Sequence, residues 1–287
     1  MRLAFLGTPE MAVPPLRALV AAGHDVVLVV TRADRRRGRG GALSPSPVKA
    51  AATELGLAVT DDIEELLGVD ADLGVVVAYG RIIKPHVLAH LSMVNVHFSL
   101  LPRWRGAAPV ERALLAGDDV TGVCIMDVEE GLDTGGVYAR RELPIGPTTT
   151  ADDLRRDLVA MGTELLVDVL SRPLGAPEPQ VGDVTYADKI TPEELQLDWA
   201  RTAAELDRLV RLGGAWTMFR SRRLKVLEAT PSDVTAAPAS LADDRQTVGT
   251  GAGGLRLTTV QPEGKAAMPW TAFANGARPE PGERLGA

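Results

Sequence analysis

Residues 2–31 read R-L-A-F-L-G-T-P-E-M-A-V-P-P-L-R-A-L-V-A-A-G-H-D-V-V-L-V-V-T, and the two apolar runs at its ends decide the fold class. The first run, residues 2–6, suits a short buried strand, and Gly7-Thr8-Pro9 supplies a turn. A helix is predicted from about 12 to 22, closed by Gly23, and the valine-rich 26–31 reads as a second buried strand. Strand, helix, strand is the opening of an α/β fold with a parallel sheet. A dinucleotide-binding unit would place G-x-G-x-x-G after the first strand and an acidic residue at the end of the second. Here G-T-P-E-M-A lacks the second and third glycines, which disfavours a nicotinamide cofactor.

Outward from that unit the rhythm continues. A helix is expected at about 48–55, a short strand at 57–60, an acidic helix at 63–67, and the fully apolar L-G-V-V-V-A-Y at 73–79 fits a central parallel strand. A helix near 85–90 carries His86 and His90 at i, i+4 spacing. With no cysteine or suitable third ligand nearby they read as surface residues, and no metal is expected. Residues 94–109, V-N-V-H-F-S-L-L-P-R-W-R-G-A-A-P, set Asn95 and His97 two positions apart on an apolar strand, hence on one face. Both side chains can donate to one developing oxyanion, and histidine can also move a proton near neutral pH. The competing reading is a satisfied core histidine beside a strand-end cap. Strands are expected at 121–128 and 137–143. Between them lies E-E-G-L-D-T-G-G, where the flanking glycines let Asp133 be aimed at a ligand, although an Asx-turn or helix cap is the alternative. Thr150 is the expected N-cap of a long amphipathic helix to 170.

At 287 residues the chain suits two domains. The rhythm changes after the proline-rich 172–180. Thr191 is expected to cap a short helix and Thr202 a basic one over 203–212. From 215 onward short strands alternate with Gly, Pro and Asp turns, which suggests a small β-barrel. No apolar run reaches membrane-spanning length, the start has no secretory pattern, and the single Cys124 reads as a buried small hydrophobe. Cytoplasm is the expected compartment.

The net charge of -7 argues against generic polyanion binding, yet two stretches are basic. Residues 31–41 hold Arg32, Arg35, Arg36, Arg37 and Arg39 against Asp34, in a Gly/Pro-rich segment (33–47) expected to be a mobile loop. Residues 199–225 hold Arg201, Arg208, Arg211, Arg220, Arg222, Arg223 and Lys225 against Glu205 and Asp207. Confined grips on a nucleic acid, or a solvated charged surface, both fit such stretches.

Taken together, Asn95, His97, the S-L-L-P of Ser99, Leu100, Leu101 and Pro102, the R-G-A-A-P at 105–109 and the G-L-D-T-G at 131–135 resemble the folate-dependent formyltransferases. The likeness extends end to end to the methionyl-tRNA formyltransferase family. It is carried by F-L-G-T-P at 5–9, G-R-G at 38–40 with P-S-P-V-K at 45–49, A-Y-G at 78–80, Y-A-D-K-I at 186–190, V-Q-P-E-G-K at 260–265 and F-A-N-G-A-R at 273–278. The resemblance implies a Rossmann-like formyltransferase domain over 1–188, a linker over 189–204 and an OB-like β-barrel domain over 205–287 that helps hold tRNA. It also implies 10-formyltetrahydrofolate as formyl donor, initiator methionyl-tRNA as acceptor and a monomeric enzyme without a metal.

By the same resemblance Asn95, His97 and Asp133 are catalytic, with Asp133 orienting His97 or accepting the amine proton. Ser99 to Pro102 would line the folate pocket through backbone and shape. Arg36, Arg37, Arg39, Arg208, Arg222, Lys225 and Lys265 would contact tRNA. Glycinamide ribonucleotide formyltransferases share the Asn, His and Asp pattern but normally lack the basic loop and the barrel. Sugar-nucleotide formyltransferases share the core and a similar second domain, and are the closer rival. A non-catalytic RNA-binding protein on the same scaffold would not need the Asn, His and Asp set. Two departures stand out: Gly41 and Ala42 follow G-R-G where the family often has lysines, and Ala266 stands where another basic residue is common. Fewer phosphate contacts follow, and a weaker or more salt-sensitive grip.

Overall fold

The computed structural model describes residues 1–37 and 42–286. Its contacts divide the chain into two units, the first made of residues 1–110, 120–145 and 153–188. The expected opening is present: β1 (Arg2–Gly7), α1 (Val13–Ala21) and β2 (Asp25–Val30). β1 and β2 run parallel with Phe5 opposite Val29, and residues 3–6 are fully buried, which is why they carry no polar alternation.

The basic segment expected as a loop pairs with itself instead. β3 (Arg35–Arg37) and β4 (Ala42–Ser44) form an antiparallel ribbon with Arg36 opposite Leu43, so backbone hydrogen bonding takes up residues whose composition reads as irregular. After α2 (Pro47–Glu54), whose N-cap Ser46 accepts from the Lys49 N–H, come β5 (Val59–Thr60), a 3₁₀ turn at Ile63–Gly68 and β6 (Leu73–Val77). Then follow α3 (Pro85–His90), β7 (Met93–His97), β8 (Arg105–Gly106), α4 (Pro109–Ala116), β9 (Val120–Asp127), β10 (Val137–Pro144), α5 (Ala151–Leu170) and β11 (Tyr186–Ala187).

The main sheet has the order β10-β9-β7-β6-β1-β2-β5. β7, β6, β1, β2 and β5 are parallel, and β9 and β10 close the edge antiparallel. The strand order reverses between β1 and β6, the kind of switch point beside which open α/β sheets bind ligands. One face packs on a core that includes Ala4, Leu6, Leu28, Val30, Leu66, Val76 and Val87. Cys124 is fully buried on β9, and burial pushes its thiol above the ordinary range.

The second unit comprises residues 111–119, 146–152 and 189–287. It holds α6 (Ala203–Leu212), β12 (Trp216–Phe219), β13 (Arg222–Ser232), β14 (Thr247–Gly249), β15 (Gly254–Pro262), β16 (Met268–Pro269) and α7 (Trp270–Ala277). The antiparallel sheet runs β12-β13-β15-β14 with β16 on β15. Single bridges such as Phe219 to Leu285 and Ser240 to Arg284 curl its open side toward a barrel. Leu224, Val226, Val248, Leu255, Leu257, Val260 and Trp270 fill it.

Thr202 and Glu205 form a full capping box on α6. Thr191 and Glu194 make the corresponding exchange, Thr191 N–H to Glu194 and Glu194 N–H to Thr191 Oγ, but only a turn follows, because Leu197 N–H leaves to bond Trp216 O at 2.8 Å. That bond and Trp216 N–H to Leu195 O, 2.9 Å, tie the segment expected as a linker into the second unit. Among the described residues no helix is long and apolar enough to cross a membrane.

Candidate active site

β7 lies between β6 and β9, with Asn95 opposite Met126 and His97 opposite Cys124. Its even-numbered Val94 and Val96 are buried, and the alternation that buries them puts Asn95 and His97 together on the other face. Asn95 is half-buried, and among the described residues its carboxamide has no protein hydrogen-bond partner. His97 is only 5% exposed. The imidazole is held from behind, since Nε2 donates to Trp104 O at 2.9 Å. A carbonyl only accepts, so Nε2 carries the proton and Nδ1 is the nitrogen left over. Nδ1 faces Asp133 Oδ2 at 3.6 Å.

The turn after β7 presents that carbonyl. Ser99 Oγ donates to Arg103 O at 2.7 Å, the Trp104 N–H donates to Thr185 Oγ at 2.8 Å, and Trp104 takes a left-handed φ of 64°. Of the residues expected to line a folate pocket, Ser99, Leu101 and Pro102 are buried and Leu100 is half-buried. Leu101 packs with Cys124, Met126 and Val137. Ser99 spends its hydroxyl inside the turn, so a ligand beside this segment would meet backbone rather than these side chains.

Asp133 also has a left-handed φ, 52°. Its carboxylate is fixed by the Gly106 N–H, 2.7 Å from Oδ2. Two glycines make the approach possible. A Cβ on Gly135 would lie 2.1 Å from Asp127 O, and one on Gly106 (φ 116°) would lie 3.1 Å from Ala187 O. Gly106 sits in the short parallel pair β8–β11, where Arg105 faces Tyr186 and Gly106 faces Ala187. Gln180 completes the frame, donating to Asp133 O and Gly135 O and accepting from Arg105. Gly106, Thr185 and Gln180 stand out in the structure but not in the sequence. R-G-A-A-P marked Gly106 as part of a motif without a role, and nothing local marks Gln180, whose partners are far away in the chain.

The cations expected on tRNA fall into two groups. Arg208 is turned inward, its Nε donating to Leu115 O at 3.1 Å. Arg222, Lys225 and Lys265 are exposed. Arg222 and Lys265, with Arg223, Phe219, Met268 and Phe273, line a cavity of about 310 Å³. Arg36 is exposed on β3. Arg39 lies outside the described residues, as does the side chain of Arg37. Among the described residues no cluster of metal-ligating side chains occurs.

Two family models cover most of the chain: "Formyl transferase" over residues 1–170 and "Formyl transferase, C-terminal domain" over 189–278. A methionyl-tRNA formyltransferase of Roseobacter denitrificans is 44% identical, the match covering 98% of both chains. The chain belongs to the methionyl-tRNA formyltransferase family. Solved structures show the same fold at low identity. HypX from Aquifex aeolicus, in complex with tetrahydrofolic acid, matches with TM-score 0.66 at 17% identity over 96% of this chain and 47% of that one, so the chain spans about half of HypX. An N-formyltransferase from Helicobacter canadensis, in complex with folinic acid and dTDP-3-aminofucose, matches with TM-score 0.68 at 17% identity over 91% and 98%. Asn95, His97 and Asp133 all lie within the part of the chain that matches the formyl transferase model.

Proposed function

We propose that this chain transfers the formyl group of 10-formyltetrahydrofolate to the α-amine of initiator methionyl-tRNA, giving N-formylmethionyl-tRNA for translation initiation, as a monomer in the cytoplasm. The observation that carries the reaction type is the uncommitted Asn95 carboxamide on the same face as an imidazole whose Nδ1 confronts Asp133 at 3.6 Å. The family and the 44% identity over nearly the whole chain support the acceptor. The folate-bound neighbour with the same fold supports the donor. A half-buried carboxamide left without a protein partner among the described residues, beside a backbone-edged turn, fits a ligand bearing an amide-like carbonyl.

The α-amine of an aminoacyl ester has a pKa of about 8, so a useful fraction is neutral at cell pH and no strong base is needed. As the amine nitrogen bonds to the formyl carbon, Asn95 donates its N–H to the developing oxyanion. His97 donates from Nδ1. Because Nε2–H is already given to Trp104 O, Nδ1 can donate only from the charged ring, and Asp133 supplies the counter-charge. Each donor contributes on the order of 3 kcal/mol. When the intermediate collapses, the bond from carbon to the folate nitrogen breaks. Asp133 takes the proton lost by the amine, and His97 is placed to return one to the leaving nitrogen.

Arg36, Arg37, Arg39, Arg222, Lys225 and Lys265 would contact tRNA phosphates, while Arg208 serves the fold. The test is an acceptor comparison: 10-formyltetrahydrofolate with methionyl-tRNA in one tube and with an aminosugar nucleotide in another. Formylation of methionyl-tRNA alone is expected. Formylation of the sugar alone would overturn the reading.

A further inference from the structure

Gln180 uses both ends of its amide. Nε2 donates to Asp133 O and to Gly135 O, each at 2.8 Å. Oε1 accepts from Arg105 Nη2 at 2.6 Å and from Nε at 3.1 Å. Two donors and two lone pairs are the whole capacity of a carboxamide, so the side chain is saturated. Its partners stand 47, 45 and 75 residues away in sequence, far more than a local turn requires. The two carbonyls it holds flank Thr134, so the clamp fixes the backbone on which Asp133 keeps its left-handed φ of 52°. The other end holds Arg105, and the next residue, Gly106, gives its N–H to Asp133 Oδ2 at 2.7 Å. Backbone and carboxylate of Asp133 are therefore gripped through one closed circuit: Gln180, Arg105, Gly106, Asp133.

We infer that Gln180 is a positioning residue for formyl transfer, holding Asp133 against His97 without touching substrate; this rests on the role given to Asp133 above. Glutamine is required by polarity as much as by length. A glutamate would keep the Arg105 pairing but turn an acceptor toward two carbonyl oxygens, loosening the loop from one side only.

The test is steady-state kinetics of full-length Gln180→Glu and Gln180→Ala, alone and combined with Asp133→Asn. Both single variants are expected to lower kcat about 10- to 100-fold, the effect of a catalytic group displaced by about an ångström. KM for methionyl-tRNA and for the folate should stay within about threefold. In the Asp133→Asn background the same substitutions should change kcat by less than about twofold, because the residue they act through is already altered. A general loss of packing would instead multiply through both backgrounds, and that result would overturn the inference. So would wild-type kcat in Gln180→Glu and Gln180→Ala while Asp133→Asn alone is slow. If Gln180→Glu does not fold, Gln180→Ala decides by the same criteria. Wild-type turnover in Asp133→Asn would sink the role of Asp133 itself, a separate and recognisable failure.

Discussion

The 131–135 loop and the 199–225 stretch both hold charged side chains with backbone groups, but the charges end differently. At the loop, backbone groups and the Gln180 amide hold Asp133 by its main chain and one carboxylate oxygen, and the Asn95 carboxamide is left over. In 199–225 the fold consumes much of the charge itself. Arg201 pairs with Glu205, Arg208 bonds Leu115 O, Arg211 bonds Asp207 and Thr149 O, and Arg220 is bound to Glu283 and Ala277 O. Arg223 stacks on Trp216 at 4.2 Å. A count of cations therefore measures candidates for phosphate contact poorly, whereas a polar side chain left without a partner measures a site well.

The largest effects are expected at the site. His97→Ala and Asp133→Ala should each lower kcat by about two to three orders of magnitude, beyond anything the lost bonds to Trp104 O and Gly106 N–H cost in stability; turnover within tenfold of wild type would remove the distinction. In the basic stretch the largest effect should be on stability. Arg211→Ala leaves Asp207, 8% exposed, without its ion pair, and denaturant unfolding should show a loss of about 3 kcal/mol with KM for tRNA unchanged. Arg222→Glu, on an exposed cation, should do the reverse, raising KM for tRNA in a salt-dependent way with stability within about 0.5 kcal/mol. Gly106→Ala forces a side chain into φ 116° against Ala187 O. The strain, about 1–3 kcal/mol, should reach kcat because the Gly106 N–H holds Asp133.

The smallest effect expected is at the α6 cap. The Glu205 carboxyl is lowered from its ordinary value 4.5 to about 2, first by the Thr202 backbone N–H and then by its hydroxyl. A depressed carboxyl contributes stability that is complete above 4.5 and is lost as pH falls through about 2. Thr202→Ala removes the hydroxyl's share of this effect and should lower stability at neutral pH, with the gap from wild type narrowing on acidification below pH 4.5. Parallel stability curves at pH 7 and pH 3 would count against the cap.

Local signals were legible and distant ones were not. The βαβ opening, the apolar β6 and the α6 cap follow from periodicity and capping chemistry within a few residues. Asn95 and His97 follow from alternation on one strand. By contrast, the ribbon β3–β4 forms where Gly, Pro and Arg composition reads as loop, and the Thr191 box yields no helix because residues 195 and 197 are claimed by Trp216. Gln180 ends a proline-rich run that looks like a spacer. Its role depends on Arg105 and Asp133 meeting in space, and no local pattern encodes that. The inward turn of Arg208 is hidden in the same way, since its acceptor is the main chain at Leu115.

Asn95 gives the cleanest test of oxyanion stabilisation at this site, because its side chain has no protein partner among the described residues and its removal leaves the fold's own bonds intact. Single-turnover formyl transfer by Asn95→Ala, at saturating 10-formyltetrahydrofolate and methionyl-tRNA, should be slower than wild type by about 10²- to 10³-fold, with both substrates still bound at near wild-type affinity. A transfer rate within a few-fold of wild type would mean that Asn95 does not stabilise the oxyanion.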